Sequence, residues 1–201
     1  MRNVAAIILA AGGSGRFGRP KQLLPFRGES LVRRAVRAAS EGGCERIAVV
    51  VGEERDLIEI ELRESPAVLV QNAEWKRGLG TSIRRGLQHL LDTQPEPGAV
   101  VLLACDQPFV DAQTIAALIG TQETSGNSIV ASRYAHTLGV PALFDRSCFE
   151  SLLALADESG AKALIESRAG DVAEIEFEQG AIDIDTPADW ERLSEKSQGC
   201  C

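Results

Sequence analysis

A chain of 201 residues, 44% of them hydrophobic, can bury one substantial core and needs no second domain. Its net charge of −8 disfavours nonspecific nucleic-acid binding. The apolar stretch at residues 4–11 is too short to span a bilayer and runs into glycines and arginines, not into a small-residue cleavage site. A cytoplasmic protein with neither nucleic acid nor membrane as partner is expected, with one domain over residues 1–195 and a disordered tail over 196–201. Five irregularly spaced cysteines argue against a disulfide framework, and with only His89 and His136 to help, against a zinc site. Cys44, Cys105 and Cys148 are expected as small buried hydrophobes, and Cys200-Cys201 lacks the four-residue prenylation signal.

In chain order, apolar runs of strand length at residues 4–9, 47–51, 68–70, 100–104 and 129–131 alternate with helical periodicity. Leu31, Val32, Ala35, Val36 and Ala39 form one helical stripe, capped by Ser30 and stopped by Gly42. Leu57, Ile58, Glu61 and Leu62 begin a second helix, Ile83, Leu87, Leu90 and Leu91 a third, and Asp111 starts a fourth with Ile115, Leu118 and Ile119. Further on, 148–155 and 161–166 read as helices, 172–177 and 182–184 as short strands. Thr186-Pro187-Ala188-Asp189 opens a last helix. The alternation predicts a single-domain α/β fold, a mostly parallel twisted sheet with helices on both faces.

Between Arg16 and Arg37 seven bases (Arg16, Arg19, Lys21, Arg27, Arg33, Arg34, Arg37) face one acid, Glu29, an imbalance that points to a local site for a small polyanion. Arg33, Arg34 and Arg37 are expected on a solvated helix face. The loop after the first strand runs Leu9-Ala10-Ala11-Gly12-Gly13-Ser14-Gly15-Arg16-Phe17-Gly18-Arg19-Pro20-Lys21-Gln22-Leu23-Leu24-Pro25. Gly13, Gly15 and Gly18 satisfy the G-x-G-x-x-G dinucleotide fingerprint in form. That fingerprint must open directly into a helix, and Pro20 and Pro25 disfavour helix at the residues before them. It also wants an acidic residue about 20 positions on at a strand end, and none is found. A P-loop is excluded because no Gly-Lys-Ser/Thr occurs. What remains is a loop of small residues with exposed amides, against which a triphosphate can lie, with Arg16 and Lys21 supplying fixed positive charge.

This loop resembles that of the molybdenum-cofactor nucleotidyltransferases and their MobA-like relatives, L-A-[AG]-G-x-S-x-R-[MF]-G-x-x-K-x-L-L-P. The resemblance implies a Rossmann-like nucleotidyltransferase fold and a nucleotide site built from Leu9, Ala10, Ala11, Gly12, Gly13, Ser14, Gly15, Arg16 and Lys21. Ala11, where other members have a second glycine, is similar to the cytidylyltransferase branch and favours CTP.

Asp106, in Cys105-Asp106-Gln107-Pro108 at a strand end, is by spacing alone either a turn residue or a site carboxylate; the resemblance makes it a ligand for Mg²⁺. Mg²⁺ takes one or two carboxylates plus phosphates, and the resemblance to a D-[IV]-D-T-P element makes Asp185 the second ligand, with Asp183 in reserve. Asp185 is otherwise a helix-capping residue. The stretch from Asn72 to Ser82 is similar to N-x-x-W-x-x-G-x-x-x-S, implying nucleotide contacts at Gly78, Gly80 and Ser82. A helix cap by Thr81 or Ser82 is the other reading. Gly139-Val140-Pro141-Ala142-Leu143-Phe144 matches a segment expected near the acceptor. Ala156-Asp157-Glu158-Ser159-Gly160-Ala161-Lys162 departs from the family's G-D-x-G-A-[RK] by a replaced glycine and an added residue.

The resemblance, over about residues 4 to 193, implies catalysis by Arg16, Lys21 and Asp106, transfer of CMP from CTP, and a molybdopterin-type acceptor. A molybdoenzyme or its chaperone would be a protein partner. Guanylyl transfer, a sugar-phosphate acceptor, a non-enzymatic nucleotide-binding regulator and an NAD-dependent oxidoreductase are the alternatives.

Overall fold

The computed structural model describes residues 3–13, 20–93, 95–184 and 186–198, of which 194–198 without their side chains. The chain opens with β1 (Val4–Ala10), then a short 3₁₀ turn at Lys21–Leu23 and a small hairpin, β2 (Pro25–Phe26) and β3 (Glu29–Ser30). Next come α1 (Leu31–Glu41), β4 (Arg46–Val51), α2 (Arg55–Glu61), β5 (Ala67–Gln71), α3 (Leu79–Leu91), β6 (Ala99–Ala104) and α4 (Ala112–Ser125). The remainder is β7 (Ile129–Tyr134), β8 (Thr137–Asp145), α5 (Phe149–Leu153), α6 (Ala161–Ser167), β9 (Val172–Glu176) and α7 (Pro187–Gln198).

Seven strands form one sheet in the order β5-β4-β1-β6-β8-β7-β9. Its pairings are parallel except those of β8, which runs antiparallel to both β6 and β7. Strand alternation sends Ala6, Ile8 and Ala10 into one apolar layer, with Val32, Val36 and Ile115, and Ala5 and Ile7 into the other, with Ile83, Leu87 and Phe144. Burial on both faces is why the strands read as continuous apolar runs. Cys44, Cys105 and Cys148 are buried and free, as expected; burial pushes the Cys44 thiol up to about 12.

The caps behave as read. Ser30 accepts from the Arg33 amide, Asp111 from the Thr114 amide, and Thr186 and Asp189 bond each other's amides reciprocally ahead of α7. Helix α7 continues to Gln198, so residues 196–198 of the expected tail are helical. No helix among the described residues is long and apolar enough to cross a membrane.

Three expectations are corrected. Residues 182–184 form no strand. After β9 the chain turns through 3₁₀ geometry at Glu178–Ala181, and Ile184 is buried with Leu24, Phe26, Leu31 and Leu193 below α7, outside the sheet. Strand β8 was not anticipated, because Gly139 and Pro141 break a strand pattern. The ladder steps from Ala131↔Ala142 to Ser132↔Gly139, so Val140 and Pro141 sit in a bulge where no ladder N–H is needed. Finally, the arginines of α1 are paired, not merely solvated: Arg33 with Glu61, Arg37 with Glu29 and Glu41. Arg34 is largely buried, paired with Glu29, donating to the Pro108 carbonyl and lying over the Phe26 ring.

Candidate active site

The order of strands fixes where a ligand can enter. From β1 the chain crosses to β4 and β5 on one side, then returns to place β6 on the other side of β1. A parallel sheet opens a crevice beyond the carboxyl ends of its strands at such a reversal. A cleft of about 460 Å³ lies there, lined by Leu9, Ala11 and Gly12 from the end of β1 and by Ala104, Cys105 and Asp106 from the end of β6.

Of the residues expected in the site, Leu9, Ala11, Gly12, Lys21, Ser82, Asp106 and Asp183 meet in this cleft. The 3₁₀ turn swings Lys21 back over the strand ends, where its Nζ donates to Asp106 Oδ2 at 2.6 Å, with the side chains 13% and 22% exposed. Gln22, only 1% exposed, donates from Nε2 to the carbonyls of Ala10 at 2.8 Å and Gly12 at 2.9 Å. The loop after β1 is thus bolted to the turn that carries Lys21. Ala10 serves the site through that carbonyl, not as a cleft-lining residue. Gly13 packs against Trp75, whose ring a Cβ there would meet at 3.0 Å.

On the acidic side, the Cys105 amide donates to the Leu9 carbonyl and the Gln107 amide to that of Ala104, turning the chain sharply at Asp106. The Ile184 amide donates to the Asp106 carbonyl at 3.1 Å, which brings Asp183 into the same cleft. Asp106 and Asp183 offer hard oxygen donors, the type that suits Mg²⁺ or Mn²⁺. Cys105 is no competitor, because burial pushes its thiol far above the ordinary range and keeps it protonated. Among the described residues no cluster of three or more His, Cys, Asp or Glu could hold a metal on its own. A site here must complete its coordination with substrate oxygens, as Mg²⁺ sites commonly do.

The third wall comes from α3. Thr81 and Ser82 do not cap this helix; they lie inside its first turn, buried, where the Asn72 amide donates to both hydroxyls at 2.9 and 3.0 Å. Gly78 and Gly80 do permit a close approach, but to protein: a Cβ on either would collide with the backbone of residues 156–158. The Gly80 amide donates to the Asp157 carbonyl at 2.8 Å, and the Asp157 carboxylate takes Arg84 and Arg77 at 2.5 Å each. Those two guanidiniums, Arg84 first through its hydrogen bond, hold the Asp157 carboxyl below its ordinary range. This clasp lies within the segment that departs from the family pattern, which goes on to set Gly160, Ala161 and Lys162 along the cleft. Neither Gly78 nor Gly80 lines it.

Ser14, Gly15, Arg16 and Asp185 lie outside the described residues. Sequence reading missed Gln22, Gln107, Tyr134 and Leu138. Gln107 fills the unspecified position between Asp106 and Pro108, and Tyr134 ends a strand whose partner went unseen. Tyr134 donates to the Val140 carbonyl at 3.0 Å. Burial, then the nearby Asp183 charge, push its phenol above the ordinary value, so it stays a donor.

The geometry agrees with what the chain is similar to. The MobA-like NTP transferase domain matches residues 6–172. Nicotine blue oxidoreductase of Paenarthrobacter nicotinovorans is 27% identical over 200 residues, covering 94% of this chain and 96% of its own. The purine catabolism protein PucB of Bacillus subtilis strain 168 is 29% identical over 200 residues, with 93% and 94% covered. The crystal structure of Rv0371c from Mycobacterium tuberculosis H37Rv superposes with a TM-score of 0.80 at 30% identity, covering 96% of this chain and 98% of that one. The same protein has been crystallised in complex with manganese, a structure 27% identical to this chain with a TM-score of 0.76. With a family match over most of its length and a cleft at the strand reversal, the chain belongs to the MobA-like NTP transferase domain family and has a nucleotidyltransferase fold.

Proposed function

We propose that this protein transfers CMP from CTP to the phosphate of a small acceptor, molybdopterin or its molybdenum-loaded form, with release of pyrophosphate. The observation that carries the reading is the meeting of the Lys21 ammonium and the Asp106 carboxylate inside the cleft between β1 and β6. Asp106 with Asp185, or with Asp183 in reserve, would hold a divalent ion, Mg²⁺ by preference. That ion, when bound, neutralises charge on the triphosphate.

Lys21, joined by Arg16 from the same loop, holds the outer phosphates, while the chain at Ala11 and Gly12 admits them close to the backbone. An acceptor phosphate oxygen forms a bond to the α-phosphorus as the bond from that phosphorus to the β-phosphate's bridging oxygen breaks. Pyrophosphate leaves as an anion, so the step needs no general acid and no covalent nucleophile. The protein contributes position and fixed charge.

CTP is favoured by resemblance: Ala11, which lines the cleft, stands where the guanylyl branch has glycine. An oxidoreductase is a second reading, because one relative carries that name. Against it, among the described residues the chain from Pro20 onward runs through a 3₁₀ turn at Lys21–Leu23 and a hairpin before α-helix starts at Leu31.

The test is pyrophosphate release with each nucleoside triphosphate and Mg²⁺ or Mn²⁺, with and without molybdopterin or its molybdenum-loaded form, beside NADH and NADPH oxidation. CTP- and acceptor-dependent release that disappears in Asp106→Ala, with the fold intact, is expected. Retained turnover in that variant removes Asp106 from the reaction, and nicotinamide oxidation without pyrophosphate release would establish the second reading instead.

A further inference from the structure

The cleft contains a buried amide to which the reaction scheme gives no part. Gln107 is 7% exposed, and its Nε2 donates to two carbonyls from distant parts of the chain, Val140 at 3.1 Å and Gly180 at 3.0 Å. The first lies in the bulge of β8. The second lies in the turn Glu178–Ala181, just ahead of Asp183 in the chain. Two carbonyl acceptors around one nitrogen leave no doubt which end of the amide is which, since the oxygen placed there would face two lone pairs. Oε1 therefore points away and is buried without a hydrogen-bond partner among the described residues.

A side chain that served stability alone would not look like this. An unmet buried carbonyl costs about 1–3 kcal/mol, and a methionine of similar length would fill the space without an unmatched oxygen. The amide sits where local packing economy disfavours it, as residues of functional sites do. What it achieves is a tie between the turn at Asp106 and the segment carrying the second carboxylate. The backbone bond from Ile184 to the Asp106 carbonyl is a further tie between them. Gly180 can approach because it has no Cβ; one there would meet the Tyr134 ring at 2.6 Å.

We infer that Gln107 is a positioning residue: through its two carbonyl contacts it sets the separation of Asp106 from Asp183, and so the span available to a divalent ion held between them. The inference rests on the proposed function for the metal role of those carboxylates. Gln107→Met keeps the bulk and removes both donors. Tyr134→Phe removes the other side-chain donor to the Val140 carbonyl together with the phenol's own contact to the Gln107 side chain, and leaves both carbonyl contacts of Gln107 in place.

The measurement is Mn²⁺ binding by electron paramagnetic resonance in the presence of the α,β-methylene analogue of CTP, alongside thermal midpoints and analogue affinity without metal. Gln107→Met should keep its fold and its metal-free analogue affinity within about threefold, yet bind Mn²⁺ at least tenfold more weakly. Tyr134→Phe should bind Mn²⁺ as the parent does. Wild-type Mn²⁺ affinity in Gln107→Met, an equal loss in Tyr134→Phe, or failure of Gln107→Met to fold would each overturn the inference while leaving the proposed function standing. If Mn²⁺ binding in the parent is unaffected by Asp106→Asn, the proposed function itself fails and takes this inference with it.

Discussion

An ammonium group 2.6 Å from a carboxylate oxygen occupies ground that a divalent ion would otherwise claim. On the proposed mechanism, Lys21 must therefore leave Asp106 for the phosphates when nucleotide and metal arrive. Two outcomes follow for its variants. Lys21→Ala should slow pyrophosphate release on the order of 10²–10³-fold, in line with other preorganised charge contacts. Without nucleotide, Lys21→Met should bind Mn²⁺ more tightly than the parent by at least about tenfold, or 1.4 kcal/mol, because a competing cation is gone. Unchanged turnover in the first or unchanged affinity in the second, read by kinetics and by Mn²⁺ titration, would contradict the exchange. At this scale the charged partners were legible, since Lys21 and Asp106 stand in motifs whose chemistry demands charge. Gln22 and Gln107 were not. An amide that bonds main-chain carbonyls leaves no pattern in sequence, because its partners, Ala10, Gly12, Val140 and Gly180, contribute only backbone.

Helix α1 and the hairpin before it are joined by one acid. Glu29 takes Arg37 and Arg34, and Arg37 first of all holds its carboxyl below the ordinary value of 4.5. A depressed native pKa means that the unfolded chain binds the proton more readily. The stabilisation is complete above pH 4.5 and is lost as pH falls through the lower native value. Glu29→Gln should therefore lower stability by about 0.5–1 kcal/mol at neutral pH, and the gap between variant and parent should close in denaturant melts below that range. A gap that persists at the acid end would refute it.

Helix α3 approaches the sheet at Gly86, where an added Cβ would press on Ile7 at 2.6 Å and Val50 at 2.9 Å. Gly86→Ala should cost about 1–3 kcal/mol through overpacking, measurable by urea unfolding, and an unchanged midpoint would mean that α3 shifts freely. The helices and the parallel strands were readable because 3.6- and run-type periodicities both survive burial. Strand β8 was hidden by Gly139 and Pro141, whose bulge is visible only once β7 lies beside it. The strand expected at 182–184 was misread because Ile184 is buried under α7 instead of within the sheet.

The molecule as a whole is cut by the cleft into two contributions: β1, β6 and α3 with their loops on one side, the β7–β8 pair, the start of α6 and the segment after β9 on the other. A ligand that bridges them should stabilise the entire chain. At a concentration 100 times its dissociation constant, CTP with Mn²⁺ should add about 2.7 kcal/mol, raising the melting temperature of a domain this size by roughly 5–10 °C. NADH should leave it unmoved; the reverse pattern would favour the oxidoreductase reading. Fold class and the cleft wall formed by Leu9, Ala11, Gly12 and Lys21 were legible from the sequence, since both reside in contiguous motifs. The far side was less so, being assembled from residues 134–140, 160–162 and 183 that only the sheet order brings together.

Strand β8 runs against its neighbours, and that reversal bears on how such a catalyst diversifies. A parallel strand there would demand a long crossover helix packed over the sheet, whereas β7 and β8 are joined by the two residues Ala135 and His136, both with positive φ. A hairpin tip can gain or lose residues at little thermodynamic cost. Its lengthening would reshape the rim beside Thr137 and Leu138 without disturbing the phosphate-handling turn at Lys21. Descendants of one ancestral chain can on this plan exchange the molecule they modify while inheriting unaltered the machinery that activates it.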